Sequence, residues 1–197
     1  MSMSSFYGFD LLAAPGLVMA PRPATEALVD AAVELAGERA ARVADVGTGS
    51  GAIAIALASR LPNAEIWASD LDPLAVELAG VNAARHGFGE RIHMAVGDLL
   101  DPIPGQLCLI VANLPYLPDE LRDDPAYAEY AAEPAEAIFA PEGGLALYRR
   151  LLAAAAERLD PEGALVVQFR RVILEAGRDE LAGLIERLER AALLAAA

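Results

Sequence analysis

The stretch Val43 to Ala58, VADVGTGSGAIAIALA, places three glycines at every second position between one apolar run and another. A chain gives up side chains at Gly47, Gly49 and Gly51 where its backbone must turn sharply or let a ligand come close. The flanking pattern predicts a buried strand over 41–46, a tight turn, and a helix from Gly51 to Arg60 with Ile53, Leu57 and Leu61 at helical spacing. Pro62 and Asn63 stop that helix. A strand, a turn and a helix in this order form the repeating unit of a parallel sheet.

The unit recurs. AEIWASD reads as strand two, ending at Asp70, and Pro73 to His86 as a helix whose Pro73 suits the first turn. RIHMAVGD reads as strand three and LCLIVANLPY as strand four, running into Asn113. Pro118 to Pro141 is rich in Pro, Asp, Glu and Tyr and reads as a long irregular loop. Gly144 to Leu159 is a helix, DPEG a turn, and ALVVQF strand five. Upstream, an extended APRP leads to a helix with Thr25 as its N-cap and Leu28, Val29, Ala32, Val33 and Ala36 on one face. Near-continuous apolar strands separated by helices predict a doubly wound, mainly parallel α/β sheet with helices on both faces. Ligands of such sheets bind at the carboxyl ends of the strands. No repeat or linker divides the chain, so 1–197 reads as a single domain: a leading segment and first helix (1–40), a core (41–169) and a helical tail (170–197).

Charge and composition narrow the partners. Fifteen Lys and Arg against 29 Asp and Glu give a net charge of −14. Such a chain meets repulsion where a nucleic-acid binder gains counterion release, so a protein or small-molecule partner is expected instead. An apolar content of 55% argues against disorder. The single Cys108 excludes a disulfide within the chain and reads as a small buried hydrophobe on strand four. His86 and His93 are too few for a metal site, and none is expected. MSMSSFYGFD lacks the basic stretch and long apolar core of a secretory signal. No uncharged apolar run reaches the roughly 18 residues of a membrane span. A soluble, cytoplasmic protein is expected.

Four pieces carry chemistry. The loop Gly47-Thr48-Gly49-Ser50-Gly51 is spaced GxGxG, and Ala52 stands where a dinucleotide-binding GxGxxG would need its third glycine. That spacing disfavours NAD and FAD, and the loop lacks the Gly-Lys-Ser/Thr ending of a phosphate-binding P-loop. Asp70, nineteen residues beyond Gly51 at a strand end, suits a ribose diol, with a cap of the DLDP turn as its plain alternative. Asp98 and Leu99 in GDLLD suit an adenine amino group and ring face, or are a simple loop. In Asn113-Leu114-Pro115-Tyr116, the Asn113 side-chain oxygen and the Leu114 carbonyl can both accept from one planar NH2 group. Pro115 stiffens the turn and Tyr116 offers an aromatic face; an Asx-type turn closing the strand is the alternative. Such an NH2 is a poor nucleophile, and two aimed acceptors help it mainly by positioning.

Together these pieces resemble the class I S-adenosylmethionine-dependent methyltransferases, which are Rossmann-like. More narrowly they are similar to the HemK family, which methylates a glutamine side-chain nitrogen in peptide-chain release factors. PGLVMAPRPATEALVDAA resembles that family's PRPxTE segment, DVGTGSGAIAIALA its cofactor loop, and SDLDPLAVELAGVNAARHG its ribose-binding strand and helix. NLPY stands where the family has Asn-Pro-Pro-Tyr, and EPAEAIFAPEGGLALYRRLL resembles its segment ending Gly-Leu-x-x-Tyr-Arg. The resemblance implies S-adenosyl-L-methionine as cofactor and S-adenosyl-L-homocysteine as product. It implies that 47–51 wrap the methionine portion, that Asp70, followed by Leu71, holds the ribose, and that Asp98 and Leu99 flank the adenine. Asp45 is implied near the cofactor's amino group, Arg22 and Thr25 beside the pocket, and Asn113, Leu114, Pro115 and Tyr116 around the target amide.

Three departures bear on the acceptor. Leu114 replaces the family's first proline, and Asn-Leu-Pro-Tyr also resembles the motif of ribosomal RNA adenine dimethyltransferases. Fewer than twenty residues precede the PRPxTE-like segment, where the family carries a helical domain that recognises the release factor. After ALVVQF no segment reads as strands six and seven; Leu181, Leu184, Ile185, Leu188 and Ala192 make a helical stripe instead. A helix there would cover the open edge of strand five or join a homodimer. The leading reading is an N-methyltransferase of glutamine in a protein. An N-methyltransferase of adenine in RNA or DNA or of a small molecule, and an inactive cofactor-binding partner subunit, stay open beside it.

Overall fold

The computed structural model describes residues 2–37, 41–170 and 191–196. A hairpin leads the chain, β1 (Ser2–Phe6) and β2 (Phe9–Ala13), paired from Phe6↔Phe9 to Ser2↔Ala13. Its two turn residues, Tyr7 and Gly8, have φ of 52° and 80°, the left-handed pair that suits the twist of a two-residue hairpin. Helix α1 (Glu26–Ala36) follows, then β3 (Arg42–Val46), α2 (Ala52–Arg60), β4 (Glu65–Asp70), α3 (Pro73–Arg85), β5 (Ile92–Val96) and β6 (Leu107–Ala112). Short strands β7 (Leu117–Pro118) and β8 (Phe139–Ala140) come next, then α4 (Ala146–Arg158), β9 (Leu159–Arg170) and β10 (Ala191–Ala196).

The main sheet is parallel throughout, in the order β10-β9-β6-β3-β4-β5. The chain winds outward from β3 through β4 to β5, then returns to β6 on the other side of β3. That reversal leaves a crevice beyond the carboxyl ends of β3 and β6, where doubly wound sheets bind their ligands. Successive residues face opposite sides. Leu109 and Val111 of β6 join one core with Leu28, Val29 and α2, while Ile110 and Ala112 join the other with Tyr148 and Leu151. The doubly wound α/β sheet expected from the apolar alternation is therefore what forms.

Local chemistry sets the helix ends. Every residue of α2 from Ala52 to Ala58 is buried, so the helix is apolar all round rather than striped. Arg91 caps its last turn, with donors 2.9 Å from the Ala58 carbonyl and 2.7 Å from that of Leu61. Asp72 caps α3 by accepting the Leu74 N–H at 2.9 Å, with Pro73 in the first turn.

Five expectations change. Thr25 lies in helical φ/ψ, within a 3-10 turn spanning Pro23–Thr25, and makes no side-chain cap bond; its hydroxyl is spent elsewhere, as described below. DPEG does not separate α4 from the last core strand: β9 begins at Leu159, and its register on β6 jumps from Leu107↔Leu159 to Leu109↔Ala164, so those four residues bulge out of the ladder. The 118–141 loop is bounded by the β7–β8 pair and holds 3-10 turns at Asp119–Leu121, Pro125–Tyr130 and Ala135–Ala137. In the tail, Ala191–Ala196 is not helical: it pairs in parallel with β9 from Ala191↔Leu165 to Ala196↔Arg170, which covers the edge expected to be open. Leu181, Leu184, Ile185 and Leu188 lie outside the described residues. Cys108 is half-buried rather than buried, and its thiol donates to the Arg42 carbonyl at 2.9 Å.

One buried amide ties the hairpin to the rest. Asn82, wholly buried on α3, accepts the Leu12 N–H at 2.8 Å and donates to the carbonyls of Leu12 at 3.0 Å and Ser50 at 2.9 Å. Replacing it leaves buried backbone groups unpaired, each costing about 1–3 kcal/mol. Asn82→Ala is expected to lower the melting temperature by roughly 5–10 °C, since about 2–4 °C accompanies each kcal/mol in a chain this size. A scanning calorimetry trace of the variant beside the parent checks it.

Candidate active site

Val46 of β3 lies opposite Ala112 of β6 in the parallel ladder. The glycine loop therefore leaves the sheet directly beside Asn113. A cavity of about 630 Å³ opens there, within the range of small-molecule sites. It is lined by Gly47, Thr48, Gly49 and Ser50 from the loop, Asp70 and Leu71 from the end of β4, Asp98 and Leu99 beyond β5, and Asn113, Leu114 and Pro115 beyond β6. Residues from four separate segments, as much as 68 positions apart in sequence, are thus gathered at one end of the sheet. Asp45, Gly51 and Tyr116 do not line this cavity. Tyr116 lines a narrow cleft on the far side of Asn113, with Met19, Tyr130 and Ile138. Asn113, Leu114 and Pro115 border both spaces.

The three loop glycines do different work. All have positive φ: 74° at Gly47, 54° at Gly49 and 82° at Gly51. A Cβ on Gly47 would come 2.7 Å from Cδ2 of Leu114, and one on Gly51 would come 3.0 Å from Cα of Ala79 on α3. These two glycines make room for the protein itself. A Cβ on Gly49 would meet only Val18, at 3.9 Å, so the space over Gly49 is left for a ligand. Two carboxylates hold the loop. Asp45 accepts the Thr48 hydroxyl at 2.7 Å and the Ala54 N–H at 3.0 Å with one oxygen, while its other oxygen is buried without a partner. Asp70 accepts the Gly49 N–H at 2.9 Å and the Asp72 N–H at 3.0 Å, one on each oxygen. A carboxylate offers about four acceptor sites, so both oxygens can still receive a diol.

Asp98 pairs with Arg150 across from α4. Leu99 sits at φ 48°, a conformation uncommon for a branched residue, and its carbonyl accepts the Ser69 hydroxyl at 2.7 Å. Leu71 is 73% exposed and forms an apolar lip on the cavity. The Asn113 NH2 donates to the Thr25 hydroxyl at 3.3 Å, which leaves the side-chain oxygen of Asn113 as the group able to accept a hydrogen bond in the site. The Leu114 carbonyl lies 2.9 Å from the Tyr148 hydroxyl.

Residues 22–148 match the methyltransferase small domain family. The chain belongs to that family. Release factor glutamine methyltransferase of Gloeobacter violaceus (strain ATCC 29082 / PCC 7421) is 40% identical over 161 residues, spanning 77% of this chain and 54% of that protein. The protein of the same name from Bordetella pertussis is 40% identical over 190 residues, spanning 87% of this chain and 68% of that one. The chain thus spans about half the length of the first of these relatives. The crystal structure of ribosomal protein L11 methylase from Lactobacillus delbrueckii subsp. bulgaricus matches with a TM-score of 0.61 at 25% identity, over 86% of this chain and 72% of that one.

Membership of the methyltransferase small domain family implies S-adenosyl-L-methionine as methyl donor, and the cavity can be tested for it. The open space over Gly49 and the spare acceptor sites of Asp70 suit its ribose end. Arg22 lines the same cavity with its guanidinium 4.4 Å from the Tyr130 ring centre, and its Nε is buried without a partner, a donor suited to a carboxylate. The residues fit the cofactor. Several lining residues, among them Met19, Pro134 and Ala137, come from loops whose sequence shows no period, so spacing could not mark them. Among the described residues no cluster of His, Cys, Asp and Glu could hold a metal, and no helix is long and apolar enough to cross a membrane.

Burial pushes the Asp45 carboxyl up to about 7, against the hydrogen bonds from Thr48 and Ala54 that pull it down and with a further push from Asp70. Burial also raises Asp70, opposed by the N–H groups of Asp72 and Gly49. Between its ordinary 3.8 and about 7, Asp45 keeps a proton in the folded state that the unfolded chain has released. The stability from this group is present below pH 4 and is lost as pH rises through 7. The melting temperature is expected to fall from pH 5 to pH 8, and Asp45→Asn, which cannot ionise, to flatten that fall by several degrees. Paired melts across that range check it.

Proposed function

We propose that the chain is an N-methyltransferase acting on the side-chain amide of a glutamine in a protein, with a peptide-chain release factor as the acceptor. The observation that carries this reading is the position of Asn113: it stands where the cofactor cavity meets the narrow cleft, with its NH2 engaged by Thr25 and its oxygen left to accept. The names of the relatives support the same acceptor. S-adenosyl-L-methionine supplies a sulfonium methyl group and is released as S-adenosyl-L-homocysteine.

The protein's part is positioning. An amide nitrogen is a poor nucleophile because its electron pair is delocalised into the carbonyl. The Asn113 oxygen and the second lone pair of the Leu114 carbonyl would each accept a hydrogen bond from one of the two N–H groups and hold the amide plane. The nitrogen would then be held at the edge of the cavity, and on transfer the S–CH3 bond would break, an N–CH3 bond would form and one N–H proton would leave to solvent. Pro115 stiffens this turn, and the Tyr116 ring, which borders the narrow cleft together with Asn113, would lie against the amide plane. Adenine in RNA or DNA offers a similar planar amine, but a net charge of −14 opposes a phosphate backbone. A release-factor acceptor implies work in the cytoplasm.

The test is transfer of labelled methyl to a purified release factor. Parent protein is expected to label one glutamine. Asn113→Ala should lose at least about 100-fold in kcat, on the scale of removing one positioned transition-state hydrogen-bonding group, with cofactor Kd unchanged within threefold. Asp70→Ala should lose cofactor binding instead. In a thermal melt, S-adenosyl-L-methionine and S-adenosyl-L-homocysteine should each stabilise the parent while NAD does not; saturation at 100 times Kd adds about 2.7 kcal/mol. Labelling of RNA or a small molecule in place of the glutamine would move the acceptor to another class.

A further inference from the structure

The start of α4 is moulded against the acceptor turn at two points. Gly144 has φ 84°, and a Cβ there would lie 2.0 Å from the Tyr116 carbonyl oxygen. Only glycine lets the chain pass so close to that turn. One helical turn later comes Tyr148, wholly buried, with its ring 4.0 Å from that of Phe169 between centres. Its hydroxyl lies 2.9 Å from the Leu114 carbonyl oxygen and 2.8 Å from the Gln168 carbonyl oxygen. Val167 pairs with Ala112, so Gln168 and Asn113 are neighbours just past the β6–β9 ladder. The one hydroxyl proton is therefore shared between a carbonyl just past the end of β6 and one on β9, where the β6–β9 ladder has run out. Burial pushes the phenol well above its usual pKa, so it remains a donor. On its other side the Leu114 side chain rests on Gly47 of the cofactor loop.

We infer that Tyr148 is a positioning residue for methyl transfer: its buried hydroxyl fixes the direction of the Leu114 carbonyl, one of the two acceptors that hold the target amide. This rests on the function proposed above. A carbonyl oxygen has two lone pairs, and with one held by Tyr148 the other is aimed rather than free to swing. The wall on Gly47 and the hydroxyl of Tyr148 grip the Leu114 unit from two sides. Small displacements of such a group cost rate out of proportion to their size, because the benefit of positioning is geometric. Tyr148 touches neither cofactor nor acceptor; it acts through Leu114.

The experiment compares parent, Tyr148→Phe and Gly144→Ala, each titrated with S-adenosyl-L-methionine and each assayed on release factor below its melting temperature. Tyr148→Phe keeps the ring and removes only the bridge. It should lower kcat at least tenfold while cofactor Kd and acceptor KM stay within threefold. Gly144→Ala, which displaces the same turn from its other contact, should show the same split and decides the matter should the phenylalanine variant fail to fold. Unchanged kcat per folded molecule in the variants overturns the inference, since a merely structural tyrosine would alter the melt alone. Equal losses in kcat and cofactor affinity overturn it as well, because they mean general loosening. A parent protein that binds cofactor yet labels no glutamine overturns the proposed function, and this inference with it; that arm does not involve the variants, so the two failures are told apart.

Discussion

One register governs this molecule: Val46 opposite Ala112 in a parallel ladder. The chain winds outward on one side of β3 and returns on the other, so the first turn of the core and the turn that follows three strands later leave the sheet side by side. The glycine loop and the NLPY turn need no long-range device to find each other. They are adjacent because parallel strands all end at the same edge, and because the winding reverses between these two. A slip of one residue would turn every apolar side chain of β6 to the wrong face. The cores on the two sides of the sheet therefore protect the geometry of the site.

Within that frame the glycine loop is held more from behind than from in front. Asp45, beneath it, gathers the Thr48 hydroxyl and the first turn of α2 through one oxygen. Asp70, beside it, takes the Gly49 N–H. Leu114 and Ala79 occupy the space that side chains at Gly47 and Gly51 would need. Of three residues without side chains, only Gly49 leaves its space to a guest. A buried carboxyl that stays protonated near neutrality is a costly way to hold a turn. Its pKa, raised by burial to about 7, gives the loop a pH dependence.

Much of the plan was legible from residues alone. Apolar runs of strand length alternating with helical spacing specified the doubly wound sheet, because period is imposed by burial and each element here is buried on a definite face. That Gly47, Asp70, Asp98 and Asn113 line one cavity was readable because they fall at or just past strand ends, which a parallel sheet gathers at one edge. What escaped was set by contacts between distant segments. Thr25 looks like a helix cap in sequence, and only the fold shows its hydroxyl turned to Asn113, 88 residues away. FYGF hides a hairpin because its first turn position is Tyr rather than the usual Asn or Asp. AALLAA has the composition of a helix, and its pairing on β9 overrides that propensity. Tyr148 falls on an apolar helix face, where nothing in the spacing distinguishes a packing aromatic from one whose hydroxyl reaches the carbonyls of Leu114 and Gln168.

Asn82 has a thermodynamic consequence. Its one side chain satisfies the Leu12 strand and the Ser50 carbonyl at once, so the docked hairpin and the closed glycine loop share a single set of bonds. Neither can let go without leaving the other a polar group in a dry place. The hairpin's docking and the shape of the glycine loop at Ser50 therefore rest on the same amide, although the first thirteen residues line the cavity only through Phe6.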